Sequence, residues 1–151
     1  MSRSLTYRMR VRFAECDPQG IVFNARYLEY FDVAMTEIWR EAIGPYEQAT
    51  ADAGVDLVVA EAGIRYLDSL RFDDVFELRA SVARIGTTSM TTVIAVTRDS
   101  VVVAEGELRH VFVARDDGRP VPIPDAVRSA FEPYLAGGGD DRPSGEREPP
   151  G

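Results

Sequence analysis

The stretch "CDPQGIVFN" sets an aspartate, a proline and a glycine, Asp17, Pro18 and Gly20, just ahead of a long apolar pattern of helical period. Pro18 pushes Asp17 toward extended backbone, and Gly20 permits a turn that other residues resist. The loop is therefore short and stiff. Asn24, where the pattern begins, is a residue type that suits a helix N-cap. A carboxylate is thus held near unpaired backbone N–H groups and the positive end of a helix dipole. An aspartate can attack an acyl carbonyl or activate a water, while helix-terminal N–H groups stabilise the oxyanion. That suffices to hydrolyse an activated acyl group, and a thioester suits it because thiolate leaves readily. The same residues also read as an ordinary turn, so the motif alone makes Asp17 a candidate and nothing more.

The elements that must position Asp17 follow from periodicity. Tyr7, Met9, Val11 and Phe13 alternate with Arg8, Arg10 and Arg12, which predicts a half-buried strand over Thr6 to Phe13. From Asn24 to Ile43 the set Leu28, Phe31, Ala34, Met35, Ile38, Trp39 and Ala42 recurs at steps of three and four, widened by Tyr27 and Tyr30. That predicts a helix mostly wrapped by protein, ended by Gly44 as a left-handed cap and by Pro45. A short helix in "YEQATADAG" precedes four strands, Val55 to Leu67, Val75 to Ile85, Ser89 to Arg98 and Val101 to Arg115. Their connections "DSLRFDD", "GTT" and "DS" read as a meander. A short helix after Pro124 ends before "AGGGDDRPSGEREPPG", residues 136–151, which has almost nothing to bury and reads as disordered. The expected class is α+β, a single domain over residues 1–135 with one antiparallel sheet curled on one long helix. Its sheet edges favour a homo-oligomer.

Composition narrows the chemistry. With 151 residues, 45% of them apolar, the chain suits one core. One cysteine, Cys16, and one histidine, His110, leave no Cys/His cluster for zinc and no intramolecular disulfide. All 17 basic residues are arginine, spread through a chain of net charge −8, which argues against a nucleic-acid surface. No apolar run reaches the roughly 18 residues of a membrane span, and no signal-peptide pattern opens the chain. We therefore expect a cytoplasmic protein with no membrane partner.

"ECDPQGIVFNARYLEYFDVAMTEIW" resembles the signature of the 4-hydroxybenzoyl-CoA thioesterase family of hotdog-fold proteins, with "IRYLDSLRFDDVFELRASV" and "RIGTTSMTTVIAV" similar to its later strands. The resemblance covers residues 5 to about 135. It implies a hotdog fold of five or six strands and an acyl-CoA thioesterase needing no cofactor beyond the coenzyme A of its substrate. It makes Asp17 nucleophile or general base, and the backbone N–H of Asn24 the donor to the thioester carbonyl. Gly20 and Ile21 would shape the loop, and Tyr27 would line the pocket. The turn carrying Arg84, Thr87, Thr88 and Ser89 would meet the coenzyme A phosphates. Active sites would lie between subunits of a dimer, with dimers pairing into a homotetramer. Asparagine stands at position 24 where the family often has an aromatic or histidine, so only a backbone role carries over.

The turn "RIGTTS" has Arg84 as its only basic residue, which leaves an acyl-carrier-protein thioester, of a polyketide or fatty-acid pathway, open as substrate. A non-catalytic acyl-CoA binding module is the further rival. His110, between Leu108 and Phe112 on the apolar side of the last strand, reads as a core residue. Related dehydratases need a histidine on the loop, which is absent here. Cys16 lacks a histidine partner, and Asp32 and Glu37 read as structural. Val58, Ala60, Ala62 and Ile64 are expected to set pocket depth.

Overall fold

The computed structural model describes residues 2–136. All but the first residue of the segment expected to be disordered, 136–151, therefore lies outside the described residues. In chain order come β1 (Leu5–Arg10), a 3-10 turn (Phe13–Glu15), α1 (Arg26–Ala42), α2 (Tyr46–Ala53), β2 (Val55–Tyr66), β3 (Val75–Ile85), β4 (Ser89–Arg98), β5 (Val101–Ala114) and α3 (Asp125–Phe131). The strands form one antiparallel sheet in the order β1-β3-β4-β5-β2.

One face of α1 buries Tyr27, Tyr30, Phe31, Ala34, Met35, Ile38 and Trp39. The sheet answers with every second residue of its inner strands, Phe76, Leu78, Ala80 and Val82 on β3 and Leu108 and Phe112 on β5. Each large apolar side chain so buried contributes roughly 1.5–3 kcal/mol. Close approach requires Gly106 on β5: a Cβ there would meet the Phe31 ring at 2.9 Å and the carbonyl oxygen of Gly63 on β2. The wide apolar stripe read from the sequence is thus satisfied by a sheet curled on one helix.

Three local expectations give way. The first strand ends at Arg10, because the 3-10 turn rotates the chain: Glu15 points inward at 3% exposure while Phe13 is 79% exposed. Gly44 has φ +158°, and the left-handed helix cap falls instead on Gly54, φ +72°, after α2. Only β3, β4 and β5 form a meander. Asp99 and Ser100, both left-handed, make the two-residue turn that suits strand twist. β2 pairs with β5, so "DSLRFDD" crosses the end of the sheet to reach β3. Its backbone finds partners on the way: Leu70 O accepts the Val22 N–H at 2.8 Å, and Asp74 O accepts the Val11 N–H at 2.9 Å. Arg98 pins this crossing, donating to Ser69 O at 2.7 Å, Asp74 Oδ2 at 2.9 Å and Asp68 Oδ2 at 3.2 Å.

Candidate active site

Residues 16–22 fold back on themselves as a tight hairpin. Cys16 bridges Val22, the Asp17 N–H donates to Ile21 O at 2.8 Å, and the Gly20 N–H donates to Asp17 O at 2.9 Å. Gly20 has φ +79°, the left-handed conformation expected of it. The Asp17 side chain is fixed by its own turn: Oδ1 accepts the Gln19 N–H at 2.8 Å. Oδ2 has no hydrogen-bond partner among the described residues and is available for chemistry.

Helix α1 starts two residues after Asn24, with Ala25 at the N-cap position and no side-chain cap. The contacts of Asn24 are therefore made by its backbone, not by its side chain. Its carbonyl accepts the Tyr66 hydroxyl at 2.9 Å and the Tyr27 N–H at 3.3 Å. Of the N–H groups around it, Phe23 donates to Glu15 O and Arg26 to Phe23 O, both at 2.9 Å, while that of Ala25 has no partner among the described residues. The N–H of Asn24 has no partner among the described residues. A cavity of about 210 Å³ is lined by Asp17, Gln19, Ile21, Val22, Asn24, Tyr27, Tyr66, Asp68 and Ser69. Asp17 and Asn24 thus line one small pocket of mixed polarity, and a carboxylate near an unpaired helix-start N–H is the arrangement that acyl transfer needs. Tyr27 is wall and brace: its hydroxyl accepts the Leu70 N–H at 3.2 Å and its ring meets Tyr66 edge to face at 5.3 Å. Burial raises its phenol above the ordinary value.

Sequence reading missed Glu15, Tyr66, Asp68 and Ser69. Glu15 lies beneath the hairpin with its carboxylate taking the Arg12 N–H at 2.8 Å, the Arg12 guanidinium at 3.1 Å and the Tyr30 hydroxyl at 3.1 Å. Burial pushes this carboxyl up, but those donors outweigh it and hold the group below the ordinary carboxylate value. Because Glu15 O also takes the Phe23 N–H, the residue ties the hairpin to the start of α1. Its only signal was an acid two positions before Asp17. Tyr66, Asp68 and Ser69 reach the pocket through the crossing segment, which no periodicity announces.

The turn expected to meet phosphates is elsewhere. Arg84, Thr87, Thr88 and Ser89 lie at the far end of β3 from Val75, roughly 30 Å along the strand. Thr87 O and Thr88 O accept the Ile123 and Phe112 N–H groups, both at 2.8 Å. Within the chain this turn does not approach Asp17. A larger hollow of about 1040 Å³ takes in Ser81, Val93, Ala95 and Glu105 of the outer sheet face and is bordered by Ala62 and Ile64, which stand opposite Leu108 and Gly106 on the helix-facing side of β2. None of the candidate catalytic residues reaches it. His110 is buried as expected of a core residue, and burial lowers its pKa. Among the described residues no group of three or more His, Cys, Asp or Glu is placed to hold a metal, and no helix is long and apolar enough to cross a membrane.

The sequence profile described as Thioesterase-like superfamily matches residues 11–131. Acyl-CoA thioesterase YbgC of Haemophilus influenzae is 22% identical over 131 residues, 87% of this chain and 96% of the relative. A crystal structure of a hypothetical protein from Aquifex aeolicus superposes with TM-score 0.80 and 32% identity, over 85% of this chain and 99% of that one. A gentisyl-coenzyme A thioesterase structure superposes with TM-score 0.75 and 27% identity, over 84% and 98%.

Proposed function

This chain belongs to the thioesterase-like superfamily and is a thioester hydrolase; from that premise we propose that it cleaves acyl-CoA with Asp17 as nucleophile or general base. The observation that carries this is the shared cavity: Asp17, whose Oδ2 has no hydrogen-bond partner among the described residues, and Asn24, whose N–H has none, line one pocket. The carbonyl oxygen of the substrate takes the Asn24 N–H, and negative charge developing there is met by the N-terminus of α1. Asp17 then either attacks the carbonyl carbon, expelling the coenzyme A thiolate and leaving an acyl-aspartyl anhydride that water hydrolyses, or takes a proton from the attacking water so that the tetrahedral adduct expels the thiolate. Gly20 keeps the hairpin tight, Ile21 forms its wall, and Tyr27 flanks the acyl group. No group beyond the coenzyme A of the substrate enters these steps, and the hotdog domain over residues 1–135 carries all of them, in the cytoplasm where acyl-CoA is made.

The working unit is a homo-oligomer. β2 is an edge strand of 12 residues whose Val58 and Val59 are about half exposed. Antiparallel pairing of β2 with a second copy lays the partner's Val55 beside Tyr66. The partner's Thr87, Thr88 and Ser89, at the Val55 end of the sheet, then approach the Asp17 pocket, with the partner's Arg84 close behind. This topology supports a pantetheine path between subunits and reconciles the distant turn with a role toward phosphate.

Thiol release from aliphatic and aromatic acyl-CoAs, with native protein and Asp17→Asn side by side, tests the assignment. Turnover falls at least ~10²-fold in the variant with the fold retained. An active Asn variant sinks it. Turnover of carrier-bound thioesters alone would move the substrate from coenzyme A to a carrier protein.

A further inference from the structure

Three tyrosines meet at the start of α1, and each hydroxyl ties it to a different element. That of Tyr30 donates to Glu15 Oε1 beneath the hairpin at 3.1 Å, and that of Tyr27 accepts the Leu70 N–H of the crossing segment at 3.2 Å. The third, Tyr66, is the last residue of β2, and its hydroxyl donates at 2.9 Å to the carbonyl of Asn24, 42 positions away in the chain. The rings pack edge to face, Tyr66 on Tyr27 with centroids 5.3 Å apart and Tyr27 on Tyr30 at 5.7 Å. Tyr66 is about half exposed and lines the small cavity together with Asp17 and Asn24.

Asn24 lies between two peptide links, and both are held by their carbonyls. Phe23 O takes the Arg26 N–H at 2.9 Å, a bond that belongs to the turn leading into the helix. Asn24 O takes the Tyr27 N–H at 3.3 Å, which is long for such a bond, so the shorter tie from Tyr66 is the one that sets this link. The links are trans, so a carbonyl fixed on one side turns the N–H of the same link to the other. Holding Asn24 O thereby aims the Ala25 N–H, and with both links fixed the Asn24 N–H cannot swing between them. The tie has a second effect. An unpaired carbonyl oxygen beside the cavity would repel a developing oxyanion, and the hydroxyl occupies its lone pair while polarising the link toward a stronger N–H donor. The Tyr66 hydroxyl gives its one proton to Asn24 O, so it acts through that carbonyl and not on the substrate.

We propose that Tyr66 is a positioning residue for thioester cleavage: its hydroxyl clamps the Asn24 carbonyl and so holds the helix-start N–H groups in the geometry that the oxyanion needs. This rests on the thioesterase reading and names the group that acts on its oxyanion donor. Glu15 ties the hairpin to the start of α1 from below, and Tyr66 ties the same helix start to the end of the sheet.

Tyr66→Phe keeps the ring on Tyr27 and removes only the hydroxyl, whereas Tyr66→Leu removes both; thermal unfolding checks that each folds. For the acyl-CoA that the native protein turns over best, kcat falls at least ~10-fold in both variants while KM stays within about twofold, since the clamp serves the transition state and not ground-state binding. A Phe variant with native kcat, whatever the Leu variant does, overturns the proposal and leaves Tyr66 a wall of the pocket. A loss carried by KM overturns it in favour of direct contact with the substrate. The infrared band of a carbonyl-labelled acyl-CoA bound to Asp17→Asn reads the donor itself: binding moves it below its free position, and in Asp17→Asn/Tyr66→Phe it stays closer to the free position. An identical band in the two overturns the clamp even where kcat has fallen. Should the native protein turn over no acyl-CoA, the thioesterase reading fails separately, and the clamp is judged by amide exchange. The Arg26 and Tyr27 N–H groups then exchange at least ~3-fold faster in the Phe variant than in native protein, and unchanged protection rejects the clamp.

Discussion

Glu15 under the hairpin and His110 on the inner face of β5 are both buried ionisable side chains, 3% and 7% exposed, and they end in opposite states. Glu15 meets three donor groups, the Arg12 N–H, the Arg12 guanidinium and the Tyr30 hydroxyl, and stays charged despite burial. His110 has an Nδ1 with no partner, and burial, unopposed, holds the ring neutral. Burial by itself therefore says little about function. Donors gathered around a buried carboxylate mark a group that positions its surroundings, whereas an orphaned ring nitrogen in an apolar layer marks packing.

Removing Glu15 should cost most. Glu15→Ala leaves the Tyr30 hydroxyl without its acceptor and loosens the stem of the hairpin, so unfolding in urea should show a loss of about 2–3 kcal/mol. Turnover should fall through kcat more than KM, because Asp17 and the Asn24 N–H lose their common anchor. A loss confined to stability would reduce Glu15 to a fold residue.

Glu15→Gln is milder and reads the charge itself. The native carboxyl lies below its ordinary 4.5, so just below that pH the unfolded chain binds more protons than the native one. Its contribution is whole above 4.5 and disappears as pH falls through the native value. The Gln variant should show a flatter stability curve on that acid limb, and an unchanged slope would break the contrast with His110.

His110→Phe should have the smallest effect, within about 1 kcal/mol at neutral pH, since a similar ring replaces one with an unsatisfied nitrogen. Native His110 titrates below its ordinary 6.5, so falling pH protonates the unfolded chain first and native stability declines from 6.5 downward. The variant should lose that decline and keep both its turnover and the steeper limb due to Glu15. A large loss of turnover would place His110 in the site after all.

Strands β3 and β4 begin and end where the alternation predicts, and α1 falls within two residues of its apolar pattern, because each of these elements carries its burial in its own period. The turn at Asp17 and Gly20 was legible for a similar reason, since Pro18 and Gly20 restrict the backbone locally, whereas the N-cap expected at Asn24 falls on Ala25, one residue later. The path of "DSLRFDD" was not. It resembles a hairpin turn by composition, and only the pairing of β2 with β5 sends it across the sheet end, carrying Asp68 and Ser69 to the pocket. Glu15 was hidden in the same way, since nothing in "FAECD" says that the chain turns and buries the acid in place of Phe13.

Sequence by itself determined the class of the fold, the helix that the sheet must cover and a stiff loop presenting Asp17, since these follow from periodicity and backbone restriction over a few residues. The tertiary structure alone decided that the Asn24 and Ala25 N–H groups are left unpaired at the helix start, that Tyr66, Asp68 and Ser69 close the pocket, and that Glu15 fastens it. Each of those depends on which donor or acceptor arrives beside a group, and such partners, from Tyr30 on Glu15 to Tyr66 on Asn24, leave no periodic pattern in the chain until packing brings them together.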